Sequence, residues 1–389
     1  MLRPILLALA LLAAASARGE AIRLATYNVD LSRDGPGLLL QELADGPGPK
    51  ARAAVAAIQA ARPDVLVLQQ FDHDLRGYAL AAFADLLAQG PDGLDYPHRF
   101  APPVNAGVPS GEDLDGDGSR TGWGDGHGWG KFPGHGAIAI LSRLPLDAAA
   151  ARTFRAFRWA DLPGARLPDR PDGTPFLPAS ARLSSRAHWD VPVVLPDGGR
   201  LHLLTAHPTP PLFDGPERRN LLRNADEIRF WTLYLDGALL GDDAGHAAGA
   251  PDDPVVLLGD LNLDPFDGAG DHEAIRALLA HPRLQDPAPA GPGAAAAAAQ
   301  GGANAGQAGP PGLDTADWRD DPGPGNLRVD YILPDARLHV LAAGLAWPEA
   351  AGTGEAPAHA LVWADVEAGG LSREAAALAR APGAALAAR

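Results

Sequence analysis

The chain contains no cysteine, which excludes disulfide bonds, thiolate nucleophiles and cysteine-ligated zinc together. The compartment stays open, because an exported protein can do without disulfides. Positive charge is also scarce. Lys and Arg number 32 against 48 Asp and Glu, giving a net charge of −16 and a pI near 5.1. A protein that grips nucleic acid by neutralising phosphates carries a basic face. Stable, sequence-specific DNA binding is therefore not expected, whereas transient handling of an anionic substrate through a metal remains open. No interior stretch is long and apolar enough to be transmembrane. What the chain has in quantity is apolar side chain, 46% of its residues. That supplies a substantial core, and 389 residues make one large domain or two ordinary ones.

The N-terminus has the form of an export signal. Arg3 precedes an apolar run from Ile5 to Ala15, and Ala15-Ser16-Ala17 has the small-x-small pattern of a signal-peptidase site. Residues 1–17 are read as a signal peptide, with the mature chain starting near Arg18 and a periplasmic or secreted location. The competing readings are a buried N-terminal helix and a membrane anchor; the run is short for the latter.

Strands are expected at Ile22–Val29, Val65–Leu68, Ala137–Leu141, 181–184, 188–195, 201–206, Val255–Leu258, Leu327–Leu333 and Leu361–Val366. Continuous apolar runs such as Val65-Leu66-Val67-Leu68 suit strands buried on both faces. Pro196-Asp197-Gly198-Gly199 supplies turn chemistry for a hairpin. Helices are expected at Pro49–Ala61, Tyr78–Gln89 and Arg218–Leu235. Residues 101–133, crowded with Gly, Asp and Pro, read as a long ordered loop, and 287–312, mostly Ala, Gly and Pro, as a disordered one. With no linker between two cores, residues 18–366 form one α/β domain, followed by an Ala-rich tail, 367–389.

Chemistry-bearing residues gather where apolar strands end, the place where α/β folds hold ligands. These segments are Tyr27-Asn28-Val29-Asp30, Leu68-Gln69-Gln70-Phe71-Asp72, Thr205-Ala206-His207, Gly259-Asp260-Leu261-Asn262 and Arg328-Val329-Asp330-Tyr331, with His359 before the last strand. Taken singly, each is as well explained as a turn, cap or ion-pair residue. Together they suit phosphoester cleavage. Oxygen side chains at strand ends suit a hard cation such as Mg²⁺, which supplies the charge an acidic protein lacks. Histidine transfers protons near neutral pH.

The order Y-N-V-D, L-Q-x, T-x-H, G-D-x-N, R-V-D-Y and a late His, with Gly136–Arg143 as a mid-chain strand ending in Ser-Arg, resembles the endonuclease/exonuclease/phosphatase superfamily, the deoxyribonuclease I-like group. The resemblance runs from about Ile22 to Val366. It implies a four-layer α/β sandwich of two packed, mostly antiparallel sheets flanked by helices, with the cleft where strand ends of both sheets meet. It implies a catalytic set of His207, Asp260, Asn262, Asp330 and His359. Asp260 and Asn262 would orient the nucleophile and hold phosphate, His207 would contact phosphate or assist the leaving group, and Asp330 would orient His359. A catalytic Mg²⁺ or Mn²⁺ is implied near Asn28, Asp30 and Gln70. Two positions depart from the pattern. Gln70 stands where the family has a metal-binding Glu, with Asp72 as the candidate replacement, and Ala358 stands where it has an Asp.

Separately, Asp113-Leu114-Asp115-Gly116-Asp117-Gly118 matches the start of an EF-hand-type loop. Asp113, Asp115 and Asp117 are candidate ligands of a structural Ca²⁺, although Gly124 stands at the closing twelfth place; the plain alternative is a solvated acidic turn. Trp123, Trp129, His127 and His135 either pack this loop down or wall a substrate site. Arg218, Arg219 and Arg223 are either a solvated helix face or reach the cleft. The function that follows is an exported, metal-dependent phosphoesterase of nuclease or phosphatase type, expected to be a monomer, with a nucleic acid or small phosphoester as substrate. The alternative is a non-catalytic binding protein that kept the fold.

Overall fold

Strand β1 (Ala21–Leu31) shows why apolar runs in this chain are unbroken. Its Leu24 packs into one buried cluster, while Ala25 and Tyr27 pack into another. Successive side chains leave opposite faces of a strand, so a sheet covered on both sides needs apolar residues at consecutive positions. The computed structural model describes residues 21–349 and 354–367. The expected signal peptide and nearly all of the Ala-rich tail lie outside the described residues.

The remaining strands in chain order are β2 (Val65–Phe71), β3 (His98–Phe100), β4 (Ala137–Ser142), β5 (Arg152–Thr153), β6 (His188–Val194), β7 (Arg200–Ala206), β8 (Leu240–Gly241), β9 (Ala247–Ala248), β10 (Val255–Asp260), β11 (Ala316–Asp317), β12 (Asn326–Leu327), β13 (Asp330–Pro334), β14 (Val340–Ala346) and β15 (Leu361–Glu367). The helices are α1 (Leu38–Asp45), α2 (Pro49–Ala61), α3 (Tyr78–Leu87), α4 (Arg219–Leu235), α5 (His272–Leu279) and α6 (Pro292–Ala298).

Two sheets dominate, one ordered β14-β15-β1-β2-β4-β3 and the other β13-β10-β7-β6-β5. Each contains one parallel pair, β1/β2 and β7/β10, and is otherwise antiparallel. A parallel pair needs a crossover: α1 and α2 provide it in the first sheet and α4 in the second. The inner faces meet in a cluster that includes Val65, Val67 and Ile140 from one sheet and Trp189, Leu203 and Leu258 from the other. Outside the first sheet, Leu66 and Leu68 pack with Ile58 and Phe83 of α2 and α3. Outside the second, Leu257 and Leu333 pack with Ile228, Trp231 and Ile275 of α4 and α5. The result is the expected four-layer α/β sandwich.

Several sequence-based expectations are corrected. Residues 181–184 form no strand, only a single bridge between Arg158 and Arg182. The expected strand Leu327–Leu333 breaks at Arg328 and Val329. Residues 287–312 are not a bare loop. They carry α6, which buries Ala294 and Ala297, and two short turns of 3₁₀ helix follow. Alanine is the best helix former and proline is tolerated in the first turn, so this low-complexity composition is a helix signal as well as a loop signal. The absence of a side chain at Gly293 lets Trp347 approach, since a Cβ there would lie 2.5 Å from its ring.

The long loop 101–133 is held to the body by Asn105, which is fully buried. Its Nδ2 donates to the carbonyls of Arg155 (2.7 Å) and Ser184 (2.8 Å), and its Oδ1 accepts from Arg182 Nη1. This fastens the loop over the head of β6, beside the strand ends.

Candidate active site

The strand ends converge because of how the sheets pair. Asn28 and Gln70 lie near the C-terminal ends of the parallel strands β1 and β2, while Asp260 ends β10 and His207 follows β7. The antiparallel neighbours contribute from their opposite ends: Asp330 opens β13 directly across from Asp260, and His359 precedes β15, whose start lies beside the end of β1. The backbone turns sharply here. Asp30 (φ 47°), Gln70 (φ 53°) and Asn262 (φ 53°) all adopt the left-handed conformation. Non-glycine residues held there store strain, a condition that gathers at functional sites.

Asn28 links the two sheets, its Nδ2 donating to Asp260 Oδ2 at 2.9 Å. Asp260 Oδ1 accepts the backbone N–H of Asn262 at 2.9 Å. His207 Nε2 lies 3.4 Å from Asp260 Oδ2, and His359 Nδ1 bonds Asp330 Oδ2 at 2.7 Å. Asp260, Asp330 and His359 present ligand atoms within 4.8 Å of one another, and all three are buried. The whole predicted catalytic set thus comes together. Asn262 Nδ2 donates to the Pro208 carbonyl at 2.9 Å, which ties the Asp260 turn to the His207 turn.

Burial would lower the His359 pKa, but the charge and hydrogen bond of Asp330, with Asp260 and Asp30 behind them, lift it to about 9. Burial pushes the Asp330 carboxyl up to about 6 against the pull of His359. For Asp260 burial acts upward too, yet the histidines and Asn28 hold it down at about 2. Burial lowers His207, whose Nδ1 has no hydrogen-bond partner among the described residues. The centre therefore favours a protonated His359 between two carboxylates, while burial works against charge on His207.

The expected metal ligands divide. Asp30 is not free, since Lys50 pairs with its carboxylate. Asn28 remains in place, its Oδ1 accepting from Asp30 N at 3.2 Å. Among the described residues, Gln70 Oε1 is buried with no partner. Gly136 is needed beside it: its φ is +53°, and a Cβ there would sit 2.1 Å from that oxygen. Asp72, the candidate replacement, has both oxygens accepting backbone N–H groups, those of Arg33 (2.7 Å) and Gly136 (2.8 Å). Even so, the donor set fits a divalent cation. Asp330 Oδ1 and Gln70 Oε1 are buried oxygens with unused lone pairs, the kind a hard cation takes. Two buried carboxylates would also repel an incoming phosphate unless a cation offset them.

Sequence reasoning missed three contributors. Arg186, buried at the head of β6, donates from Nε to Gly136 O (2.9 Å) and from Nη1 to Trp129 O (3.3 Å). Burial lowers its pKa to about 10 despite the charges of Glu227, Asp260 and Asp72. Thr315 Oγ1 accepts the Asp330 backbone N–H at 2.9 Å, and Trp318 meets the His359 ring edge-on at 5.3 Å. The only hint of Arg186 was a cation just before an apolar strand. Thr315 and Trp318 follow the low-complexity stretch and carried no signal.

Away from this centre, Asp113, Asp115 and Asp117 bring carboxylate oxygens within 4.8 Å of one another, with the last two exposed. Asp113 also caps its own loop, accepting from the backbone of Gly116 and Gly118.

The Endonuclease/Exonuclease/phosphatase family profile matches residues 25–352, ending just short of His359. Among solved structures, the chain is similar to an endonuclease/exonuclease/phosphatase from Beutenbergia cavernae, at 20% identity and TM-score 0.51 over 90% of this chain and 72% of that one. It is also similar to the human Nocturnin catalytic domain with bound sulfate anion, at 15% identity and TM-score 0.45 over 89% and 94% of the two chains. A mannosyl-6-phosphatase from Bacteroides thetaiotaomicron aligns at 15% identity and TM-score 0.46 over 89% and 99%. The first of these shares the fold. No curated protein matches the chain.

Proposed function

The chain belongs to the endonuclease/exonuclease/phosphatase family, and on that premise we propose that it is an exported, divalent-metal-dependent phosphoesterase that cleaves its substrate by water attack. The observation that carries the chemistry is the Asp330–His359 bond of 2.7 Å set beside Asp260 at the junction of the two sheets. Asp330 accepts the Nδ1–H of the His359 imidazolium, which leaves its Nε2–H to face the phosphoryl group. Asp260, held ionised, accepts a hydrogen bond from the attacking water. Asn262 and His207 border the phosphoryl oxygens. The water oxygen forms the new P–O bond, the ester P–O bond breaks, the water's proton is taken up by the Asp260 carboxylate, and the leaving oxygen takes its proton from solvent. A Mg²⁺ or Mn²⁺ held by Gln70, Asn28 and Asp330 would offset charge growing on the phosphoryl oxygens.

Export rests on the Arg3, Ile5–Ala15 and Ala15-Ser16-Ala17 pattern, and a structural Ca²⁺ on the convergence of Asp113, Asp115 and Asp117. The test of activity is a panel of plasmid DNA, RNA, bis-p-nitrophenyl phosphate, p-nitrophenyl phosphate and sphingomyelin, with and without EDTA. Wild type should hydrolyse at least one, EDTA should stop it, and His359→Ala should lose roughly 10²–10⁴ in rate. Inactivity on every phosphoester with every metal favours the non-catalytic alternative, and full activity in His359→Ala removes the mechanism.

A further inference from the structure

We infer that a second phosphate-binding pocket, built on Arg182, Arg219 and Arg223, adjoins the reaction centre, so that the substrate is a phosphoester carrying another phosphate nearby. This rests on the phosphoesterase reading of that centre. Arg182, Arg219 and Arg223 line one pocket with His127, Trp129 and Thr209. In a chain with 48 acidic and 32 basic residues, arginines normally find carboxylates. Arg23, Arg152, Arg166, Arg328 and Arg337 each do. The pocket arginines do not: among the described residues, none of the three has a carboxylate within ion-pair distance.

Their hydrogen bonds go to neutral oxygens instead. Arg182 Nη1 donates to Asn105 Oδ1 at 2.7 Å and Arg219 Nη1 to the Leu114 carbonyl. Arg223 donates from Nε to Leu183 O at 2.8 Å, and from Nη2 to His127 O at 2.5 Å and Arg182 O at 3.0 Å. These bonds hold the forks in place without neutralising them. The carboxylate of Glu227 is taken by Ser185 N, Ser185 Oγ and Thr209 N, and burial raises its pKa. Asp243 acts on Arg182 only through its charge, against Arg155. Burial, and then the neighbouring arginines, lower Arg223 to about 10 despite the charge of Glu227. Burial, and then Arg182, Arg223 and Arg155, lower His127 to about 4. Arg182, Arg219 and Arg223 thus share one pocket without an ion-paired carboxylate, and a bound anion would supply the missing charge. The planar guanidinium fork matches phosphate oxygens in pairs.

Position makes the anion part of the substrate. Thr209, on the pocket wall, is two residues from His207, a span of at most about 7 Å. The pocket therefore adjoins the reaction centre. Trp129 borders both places, since its carbonyl accepts from Arg186. A phosphoester carrying a second phosphate is therefore the substrate class this arrangement fits, with a phosphorylated dinucleotide as its probe.

The experiment compares dithymidylate with its 5′-phosphorylated and 3′-phosphorylated forms. In wild type one phosphorylated form should have a KM at least about tenfold lower than the plain dinucleotide. Arg182→Gln/Arg219→Gln should erase that preference while kcat changes far less, and Arg219→Lys should keep part of it. Thermal melting confirms that the variants fold. A second arm measures binding of thymidine 3′,5′-bisphosphate to the His359→Ala protein by calorimetry, where the arginine changes should weaken affinity about tenfold or more. If both phosphorylated dinucleotides behave as the plain one does, the pocket assignment is overturned. If orthophosphate binds there and the arginine changes leave KM unaltered, the substrate assignment is overturned and the pocket serves free anions. If no phosphoester is cleaved but bisphosphate binding still depends on the arginines, the phosphoesterase reading fails and the pocket stands.

Discussion

At the scale of single residues, the feature that most sets this chain apart from its family's pattern is Gln70. It keeps the length and the oxygen of the expected glutamate but not the charge, and that oxygen is buried without a partner. Gly136 opens the space it occupies. Glutamate fits the same volume, so Gln70→Glu should tighten Mn²⁺ binding. A unit charge near 4 Å is worth about 4 kcal/mol at an effective dielectric of 20, before desolvation takes back part of it. A lowering of the dissociation constant by roughly tenfold or more is the expected outcome of calorimetric titration. An unchanged constant removes Gln70 from the metal site. The strand-tip residues Asn28, His207, Asp260, Asn262 and Asp330 were legible because polar side chains end apolar runs there. The pairing of Asp30 with Lys50 and of Asp72 with two backbone amides was not, because it depends on which groups the fold brings alongside.

At the scale of elements, the strands were legible where both faces are buried and obscure where one is exposed. β2 and β10 announce themselves as apolar runs. β14, whose Leu341 is 48% exposed, does not. The loop 101–133 pairs with itself only through the isolated bridges Ala106–Gly128 and Pro109–Gly126, and Asn105 is one of its buried ties to the body. Asn105→Ala leaves the Arg155 and Ser184 carbonyls and Arg182 Nη1 without that partner. Each buried polar group left unsatisfied costs about 1–3 kcal/mol, so the urea midpoint should fall and protease cutting within 101–133 should rise. An unchanged midpoint and digestion pattern would mean that the loop is held by something else.

At the scale of the molecule, two expectations concern its surroundings. If Asp113, Asp115 and Asp117 hold Ca²⁺ with an affinity near 0.1 mM, then 1 mM Ca²⁺ adds about 1.4 kcal/mol of stability by mass action. The melting temperature should rise by a few degrees, and Asp115→Ala should abolish the rise without touching the catalytic set. A wild-type protein indifferent to Ca²⁺ ends the idea. Export should leave a mature N-terminus near Arg18, read by N-terminal sequencing of protein from the host's envelope or medium; an intact Met1 in the cytoplasm contradicts it. No helix among the described residues is long and apolar enough to cross a membrane.

The sequence by itself determined the α/β strand pattern and the list of candidate residues. Both are written in local patterns, consecutive apolar residues for strands covered on two faces and polar residues at their tips, and the order of those tips resembles one family, which implied the sandwich. Only the tertiary structure decided what those residues touch. That Asn28 bonds Asp260, that His359 bonds Asp330, and that Arg182, Arg219 and Arg223 face one pocket without carboxylates follow from contacts between positions far apart in the chain. Such contacts depend on sheet register and on which face of α4 turns inward. Neither is encoded at the residues that use them, and both are fixed only when the two sheets bury their common core.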